Sequence, residues 1–222
     1  MKISIIGTGK MGKALVKTLS AYLPDVYWSG RSPEKVERLI SEMQLPVKAL
    51  STEEALASDV LIPTLSFRDL PAWININRKK LKGKIWIDIT NPFNDTFDDF
   101  TLDYGKSAAE EIQRILPDMF VVGAFKNTFC EVFNQPICND IKSDVYLTSD
   151  HAEAKQLIME LFSGLPFRVF DGGALKNNRT IERMTLLSQE LAQKTGTYPY
   201  TSFHLWGVRE KEEHRGVEAV EN

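Results

Sequence analysis

The first twelve residues constrain the fold of this chain more than any other stretch. Residues 2–6 are typical of a buried strand, and a complete G-x-G-x-x-G motif follows at Gly7, Gly9 and Gly12. Apolar residues then recur at helical spacing from Met11 to Tyr22. A strand, a glycine loop and a helix in this order predict a dinucleotide-binding βα unit. Its predicted phosphate-binding residues are Gly7, Thr8, Gly9, Lys10, Met11 and Gly12.

Each glycine has a distinct role in such a unit. Gly7 permits a tight turn, Gly9 lets the backbone approach a pyrophosphate, and Gly12 lets the helix pack against the strand. The free N–H groups and the positive dipole end of the helix then face the phosphates. The alternative interpretation is a βα turn whose glycines serve only the turn itself.

The end of the second predicted strand indicates which dinucleotide binds. Sites that prefer NAD carry an Asp or Glu about 20 residues after the glycines, where it binds the ribose 2′-hydroxyl. This chain has Gly30, Arg31 and Ser32 after the strand at residues 26–28, and Lys35 one helical turn later. Such cationic and hydroxyl groups favour a 2′-phosphate, so we predict a site for NADP(H). The same residues also suit a solvated helix start in which Ser32 is the N-cap.

Strand and helix patterns continue along the chain. Further strands are predicted at residues 47–50, 59–64, 84–92, 120–125, 145–148 and 167–170, and helices separate most of them. This alternation predicts an α/β fold with a Rossmann-type, doubly wound, mostly parallel sheet and a smaller C-terminal part packed on it. The predicted divisions are an NADP-binding core at 1–125, an acceptor-covering and dimerisation part at 126–207, and a charged tail at 208–222.

The carboxyl ends of the later strands supply further candidates, because ligands bind there in open α/β sheets. Thr64 and Leu65 follow the fourth strand, and Asn91 ends the fifth strand just before Pro92. These positions also fit a plain strand end and a simple turn, respectively. Residues 93–105 form either a binding loop or a solvated surface loop.

Several catalytic signatures are missing from the sequence. The chain has no Tyr-x-x-x-Lys pair at the position that short-chain dehydrogenases use, and no G-x-S-x-G nucleophile elbow. Its three histidines, His151, His204 and His214, lack metal-ligand spacing. We therefore expect a cofactor site without a metal and without an acid or base supplied by the protein.

Composition narrows the possible partners and the compartment. The formal net charge is −3, so nothing favours nucleic acid or an acidic membrane as a partner. No apolar run reaches the roughly 20 residues that span a bilayer, and a strand at residue 2 leaves no room for a signal peptide. The two cysteines, Cys130 and Cys138, form no C-x-x-C motif. These features predict a cytoplasmic protein.

Several stretches together carry a resemblance to a known family. They are the glycine loop, residues 30–35, 90–92, 106–110, 122–125 and 171–175, and the pair Asn178 and Arg179. The chain resembles the deazaflavin (coenzyme F420)-dependent NADP oxidoreductases and is similar to the cytosolic domain of the STEAP metalloreductases. This resemblance implies hydride transfer between the nicotinamide of NADP(H) and a deazaflavin or flavin-like acceptor, without a protein acid or base.

The resemblance also implies roles for individual residues. The family's phosphate contacts match residues 8–11, and its 2′-phosphate contacts match Arg31, Ser32 and Lys35. Its nicotinamide-side positions match Thr64, Leu65, Asn91, Pro92 and Ala124. The implied acceptor-side residues are Asn127, Thr128, Gly172 and Gly173. Archaeal members carry His-Thr after the sixth strand, where this chain has Lys126, Asn127 and Thr128.

Two other functions remain open at this point, because a fold alone does not define an activity. One is an NADPH-dependent reductase of free flavin, a ferric chelate or a small imine, and the other is a non-enzymatic NADP(H)-binding sensor. The expected partners are a small-molecule acceptor and a second copy of the chain. An apolar-faced helix at 178–194, followed by four aromatic residues up to Trp206, predicts a homodimer.

Overall fold

The structure is a computed structural model that describes residues 1–208 of the 222 residues. The charged tail predicted for 208–222 lies, from residue 209 onwards, outside the described residues.

A six-stranded parallel sheet forms the centre of the molecule. Its strands are β1 (Ile3–Ile6), β2 (Val26–Ser29), β3 (Lys48–Leu50), β4 (Val60–Pro63), β5 (Ile85–Asp88) and β6 (Phe120–Gly123). They lie in the order β3-β2-β1-β4-β5-β6, and Ile3 is in register with Val26 on one side and Val60 on the other. All four residues of β1, β4 and β5 are buried, as expected of a parallel sheet covered on both faces. This order confirms the predicted doubly wound Rossmann fold.

Seven α-helices accompany the strands in residues 1–208. They are α1 (Lys10–Tyr22), α2 (Pro33–Met43), α3 (Thr52–Ala55), α4 (Leu70–Leu81), α5 (Ala108–Ile115), α6 (Ala152–Phe162) and α7 (Asn178–Thr195). Serine N-caps begin three of them: Ser32, Ser51 and Ser107 each accept a hydrogen bond from a backbone N–H three residues later. The Ser32 cap confirms the helix start that the sequence predicts there.

The C-terminal part adds two small sheets. Strands β9 (Asp144–Leu147) and β10 (Arg168–Asp171) pair in parallel, and Thr148 bridges Gly123 at the end of β6. A short hairpin of β7 (Ile137–Cys138) and β8 (Ile141–Lys142) was not predicted, because each strand has only two residues. One apolar core runs without interruption from β1 through β9 to α6. The predicted division at residue 125 stays a prediction.

Helix α7 corrects one expectation about its buried face. The sequence predicts an apolar face, but the buried residues of this helix are mostly polar: Asn178, Ile181, Glu182, Thr185, Ser188, Gln189 and Ala192. Leu187 and Leu191 are instead 54% and 49% exposed. The helix passes over loops at the ends of β5 and β6, where polar atoms need hydrogen-bond partners.

The loop at 93–105 is packed against α7. Phe93 contacts Phe97 and Phe100 edge-on or tilted, and the Arg183 guanidinium lies 3.8 Å from the centre of the Tyr104 ring. The Gln189 side chain donates a hydrogen bond to the Phe97 carbonyl. No helix within residues 1–208 is both long and apolar enough to cross a membrane.

Candidate functional site

The glycine loop between β1 and α1 leaves no space at two of its three glycines. Gly7 has a φ of +125°, and a Cβ there would lie 2.3 Å from the Thr64 hydroxyl oxygen. A Cβ on Gly12 would lie 2.3 Å from the Gly7 carbonyl oxygen. The Trp28 indole N–H donates a 2.8 Å hydrogen bond to that same carbonyl, which stabilises the turn. These two glycines are therefore required by packing, with or without a ligand.

Gly9 differs, because the space around it is open. No atom lies within 4 Å of a Cβ built on Gly9, and this residue is the N-cap of α1 with no side-chain cap hydrogen bond. The first N–H groups of α1 therefore have no side-chain cap and lie beside open space. A pyrophosphate fits this arrangement, since helix N-termini bind anions through those N–H groups.

Alanine substitutions separate the two kinds of glycine. We expect Gly12→Ala to lower the free energy of unfolding by about 1–3 kcal/mol, because its Cβ collides with backbone. We expect Gly9→Ala to change stability by less than about 1 kcal/mol and to weaken NADPH binding by roughly tenfold or more. Chemical denaturation and NADPH titration measure both effects. Equal losses of stability in the two variants would contradict this assignment.

The end of β2 presents the predicted 2′-phosphate residues. Gly30 is tightly packed, since a Cβ there would lie 2.9 Å from the Thr8 methyl carbon. Arg31 and Lys35 are exposed, and among residues 1–208 no hydrogen bond or ion pair engages the Arg31 side chain. The Ser32 hydroxyl accepts the Lys35 N–H at 3.2 Å. The structure thus brings these four residues together beside the glycine loop.

Glu34 adds a carboxylate that the sequence analysis did not consider. The Ser32 hydroxyl donates a 2.5 Å hydrogen bond to this carboxylate, and that bond lowers the pKa of the Glu34 carboxyl. In this state Ser32 is therefore engaged both as an N-cap and as a donor to Glu34. A phosphate group bound beside Ser32 would have to compete with Glu34 for that donor.

The predicted nicotinamide-side residues lie at the carboxyl ends of β4, β5 and β6. Thr64 donates a 3.1 Å hydrogen bond to the Ile6 carbonyl, and the neighbouring Leu65 is half-buried. Pro92 and Ala124 are buried. The Asn91 amide donates to the Lys126 carbonyl at 2.8 Å, and its oxygen is buried without a hydrogen-bond partner. No side chain among the predicted nicotinamide-side residues is a titratable acid or base.

A buried charge cluster lies behind this edge, and the sequence analysis missed it. The Lys126 ammonium contacts Asp88 at 2.5 Å and Glu182 at 2.9 Å, and it donates to the Thr90 carbonyl. All three charged side chains are at most 2% exposed. The Thr185 hydroxyl donates to the Lys126 carbonyl at 2.5 Å. The cluster therefore joins the ends of β5 and β6 to α7 next to Asn91.

The cluster shifts the titration of its own members. Burial alone would lower the pKa of the Lys126 ammonium, but the Asp88 and Glu182 carboxylates outweigh burial and raise that pKa. Burial raises the pKa of the Glu182 carboxyl, and Asp88 adds to the rise while Lys126 opposes it. The ammonium is therefore charged at neutral pH, and both carboxyl groups are arranged to accept its hydrogen bonds.

The implied acceptor-side residues are engaged in packing and hydrogen bonds within the fold. Asn127 and Thr128 are buried, and the Asn127 amide donates to the Asp144 carbonyl at 2.8 Å. Gly172 and Gly173 follow β10: the Gly172 N–H donates to the Leu147 carbonyl at the end of β9, and a Cβ on Gly172 would lie 2.8 Å from Thr148. Packing accounts for these contacts, and the acceptor-side roles stay a prediction.

The structure also contains a cavity that lies away from the glycine loop. A cavity of about 750 Å³ lies at the opposite, amino edge of the sheet, where Lys84 begins the approach to β5 and Phe120 begins β6. None of the glycine-loop residues lines it. Within residues 1–208, no group of three His, Cys, Asp or Glu side chains is arranged to hold a metal ion.

The strand order and the open glycine loop at the carboxyl edge define a Rossmann-fold protein of the dinucleotide-binding class. Residues 2–92 match the model of the family described as NADP oxidoreductase, coenzyme F420-dependent. The F420-dependent NADP reductase of Methanothermobacter marburgensis is 30% identical over 203 residues, which cover 84% of this chain and 90% of that protein. The chain belongs to this family of NADP oxidoreductases, which confirms the resemblance drawn from its motifs.

Other similar proteins include a metalloreductase and a further F420-dependent reductase of known structure. The STEAP3 metalloreductase of Rattus norvegicus is 26% identical over 185 residues, which cover 83% of this chain and 36% of that protein. The solved structure of a candidate F420-dependent NADP reductase from Arthrobacter sp. FB24 superposes with a TM-score of 0.78 at 21% identity. The superposed region covers 89% of this chain and 96% of the chain in that structure.

Proposed function

We propose that this NADP oxidoreductase transfers a hydride between the nicotinamide of NADP(H) and a deazaflavin of the F420 type. The observation that carries the proposal is the carboxyl edge of the sheet. A glycine loop without a side-chain cap and an unpartnered Arg31 lie at one part of this edge, and the predicted nicotinamide-side residues at the other carry no titratable acid or base. Hydride transfer suits such an edge, because its chemistry resides in the cofactor.

The residues of the chain would hold NADP(H) in three places. Gly9 and the first turn of α1 would bind the pyrophosphate, and Arg31 with Ser32 and Lys35 would bind the 2′-phosphate. The carboxyl ends of β4, β5 and β6 would orient the nicotinamide, which supplies the hydride when it is bound. Orientation is the main contribution of the protein, since aligned reacting atoms at about 3–3.5 Å need little further assistance.

The deazaflavin is the acceptor that the family relationship favours. Two F420-dependent NADP reductases, from Methanothermobacter marburgensis and Methanocaldococcus jannaschii, align with 203 residues each and are covered over 90% of their length. The metalloreductase relationship covers only 36% of the longer protein and favours a ferric chelate less strongly.

An acceptor panel tests the proposed function. NADPH oxidation is measured with purified protein and, in separate reactions, F420, FMN, a ferric chelate and a cyclic imine. We expect kcat/KM to be highest for F420. Turnover of FMN or the ferric chelate with none of F420 would replace the proposed acceptor, and binding of NADPH without turnover of any acceptor would favour a sensor.

We also propose that the protein is a homodimer built partly on α7. The exposed positions Leu187 and Leu191 lie one turn apart on this helix, while its polar face is buried against the rest of the chain. Leu205 and Trp206 add exposed apolar surface at the end of the described chain, at 50% and 75% exposure.

A lysine on this face tests the dimer. We expect Leu191→Lys to convert the dimer to a monomer, because a partner would have to bury the ammonium. Light scattering at micromolar concentration measures the mass. The control is Ile76→Lys, since Ile76 is 82% exposed on α4. A monomeric wild-type protein, or a dimer that survives Leu191→Lys, would refute this interface.

A further inference from the structure

The buried cluster at the ends of β5 and β6 contains unequal charge. Asp88 and Glu182 supply two carboxylates, and Lys126 supplies the one ammonium group that contacts both. Each of these side chains is at most 2% exposed, so water does not screen them as it screens surface charges. If both carboxylates are ionised, the three side chains carry a net charge of −1.

Both carboxylates accept several hydrogen bonds from fixed donors, and such donors favour a carboxylate over a neutral carboxyl group. Glu182 accepts the Ala108 N–H at 3.0 Å and the Ala109 N–H at 3.3 Å, in addition to its contact with Lys126. These N–H groups belong to the first turn of α5, whose positive dipole end favours an anion. These donors oppose the effect of burial, which raises the pKa of the Glu182 carboxyl.

Asp88 is arranged in the same way. One of its oxygens accepts both the backbone N–H of Thr90 at 3.1 Å and the Thr90 hydroxyl at 2.6 Å, and the other accepts Lys126. Its charge is therefore held by fixed donors.

The position of the cluster relates this charge to the cofactor cleft. Asn91 lies three residues after Asp88, and its amide donates to the Lys126 carbonyl at 2.8 Å. The strands of the sheet lie in the order β3-β2-β1-β4-β5-β6. In a Rossmann sheet of this order, the ends of β1, β2 and β3 bind the adenosine side of the dinucleotide. The ends of β4, β5 and β6 are left for the nicotinamide side. The charge cluster therefore lies at the ends of the strands that are expected to hold the nicotinamide.

We propose that the net negative charge of the Asp88–Lys126–Glu182 cluster stabilises the oxidised nicotinamide over the reduced one. The inference rests on the proposed binding of NADP(H). Oxidised nicotinamide carries a positive charge on its ring, whereas the reduced ring is neutral. When the C4–H bond breaks and its electron pair leaves with the hydrogen for the acceptor, the ring becomes a cation. The cluster thus makes bound NADPH a stronger hydride donor.

The expected effect is a change in relative affinity. A unit charge at roughly 8–10 Å, with an effective dielectric constant of about 20–40, changes a binding constant by about 4- to 30-fold. Removal of one carboxylate charge should raise the ratio of the Kd for NADP⁺ to the Kd for NADPH by that factor. The Kd for NADPH alone should change much less.

Equilibrium titration of both nucleotides tests the proposal without any acceptor. The variants are Glu182→Gln and Asp88→Asn, and the control is Glu190→Gln, which makes the same substitution at an exposed position on α7. We expect the ratio of dissociation constants to rise about 4- to 30-fold in both cluster variants and to stay unchanged in the control. Circular dichroism verifies that each variant is folded, and Asp88→Asn decides the test if Glu182→Gln does not fold.

Other outcomes would overturn the proposal. Equal weakening of NADP⁺ and NADPH in a folded variant would show that the cluster only supports the fold. An unchanged ratio would show that its charge does not reach the nicotinamide. If the wild-type protein binds neither nucleotide, the proposed NADP(H) site itself fails, and this inference fails with it.

Discussion

Replacement of Lys126 by Met is expected to lower the free energy of unfolding by about 3–5 kcal/mol at pH 7. Methionine has a similar length to lysine but no charge. Its introduction leaves the Asp88 and Glu182 carboxylates buried together without the ammonium that separates them. Breaking a buried ion pair on one side is costly because the remaining charge keeps its desolvation penalty. Urea denaturation monitored by circular dichroism measures the change.

The matched control for this substitution is Lys194→Met on α7. Lys194 contacts Glu190 at 2.5 Å, but their side chains are 67% and 61% exposed. An exposed pair of this kind contributes little, so we expect a change below about 1 kcal/mol. If Lys126→Met cost no more than this control, the cluster would not hold β5, β6 and α7 together in the way that its contacts indicate.

Replacement of Arg31 by Ala is expected to weaken NADPH binding by roughly 10- to 150-fold. A charge-assisted hydrogen bond contributes about 1.5–3 kcal/mol, and each 1.36 kcal/mol is a factor of ten. NADH lacks the 2′-phosphate, so its Kd should change by less than about threefold. The guanidinium is exposed beside the glycine loop and engages no partner among residues 1–208, so its loss leaves the fold intact.

Arg38→Ala is the control for this measurement. Arg38 lies on the same helix, but it forms an exposed pair with Glu42 at 3.8 Å. Titration of NADPH and NADH against the wild type and both variants separates a phosphate contact from a general effect of charge. Equal losses for NADPH and NADH in Arg31→Ala would show that Arg31 supports the loop or the adenine instead.

The fold was predictable because its signals are local or periodic. The glycines at positions 7, 9 and 12 follow a buried strand and open a helix, and most later strands of the central sheet contain a short apolar run. The Ser32 cap identifies the start of α2. Sequence spacing also located the residues beside the loop, because residues 30–35 must follow the strand that pairs with β1. These features need no information about distant contacts.

The face that α7 buries could not be predicted from spacing alone. Asn178, Glu182, Thr185 and Gln189 recur at helical spacing, and so do Leu187 and Leu191 on another side. Both stripes are compatible with one helix, and the usual expectation is that the apolar stripe is buried. The structure reverses that choice, because the helix lies over the polar loops that follow β5 and β6.

The charge cluster escaped the sequence analysis because its members are far apart in the chain. Lys126 contacts Asp88 across 38 residues and Glu182 across 56 residues. One signal was present: Asp88 interrupts the apolar residues Trp86, Ile87 and Ile89 within a strand expected to be buried. A carboxylate at such a position requires a partner of opposite charge, and Lys126 directly after β6 is such a partner.

Isotope transfer tests the central claim of hydride transfer to a deazaflavin most directly. The protein is mixed with F420 and with NADPH that carries deuterium at both C4 positions, and the products are analysed by mass spectrometry and NMR. A hydride accepted by carbon keeps its isotope in water, so the account predicts one deuterium on the reduced deazaflavin ring for each NADPH oxidised. Reduced deazaflavin without deuterium, or oxidation of NADPH with F420 left unreduced, would contradict it.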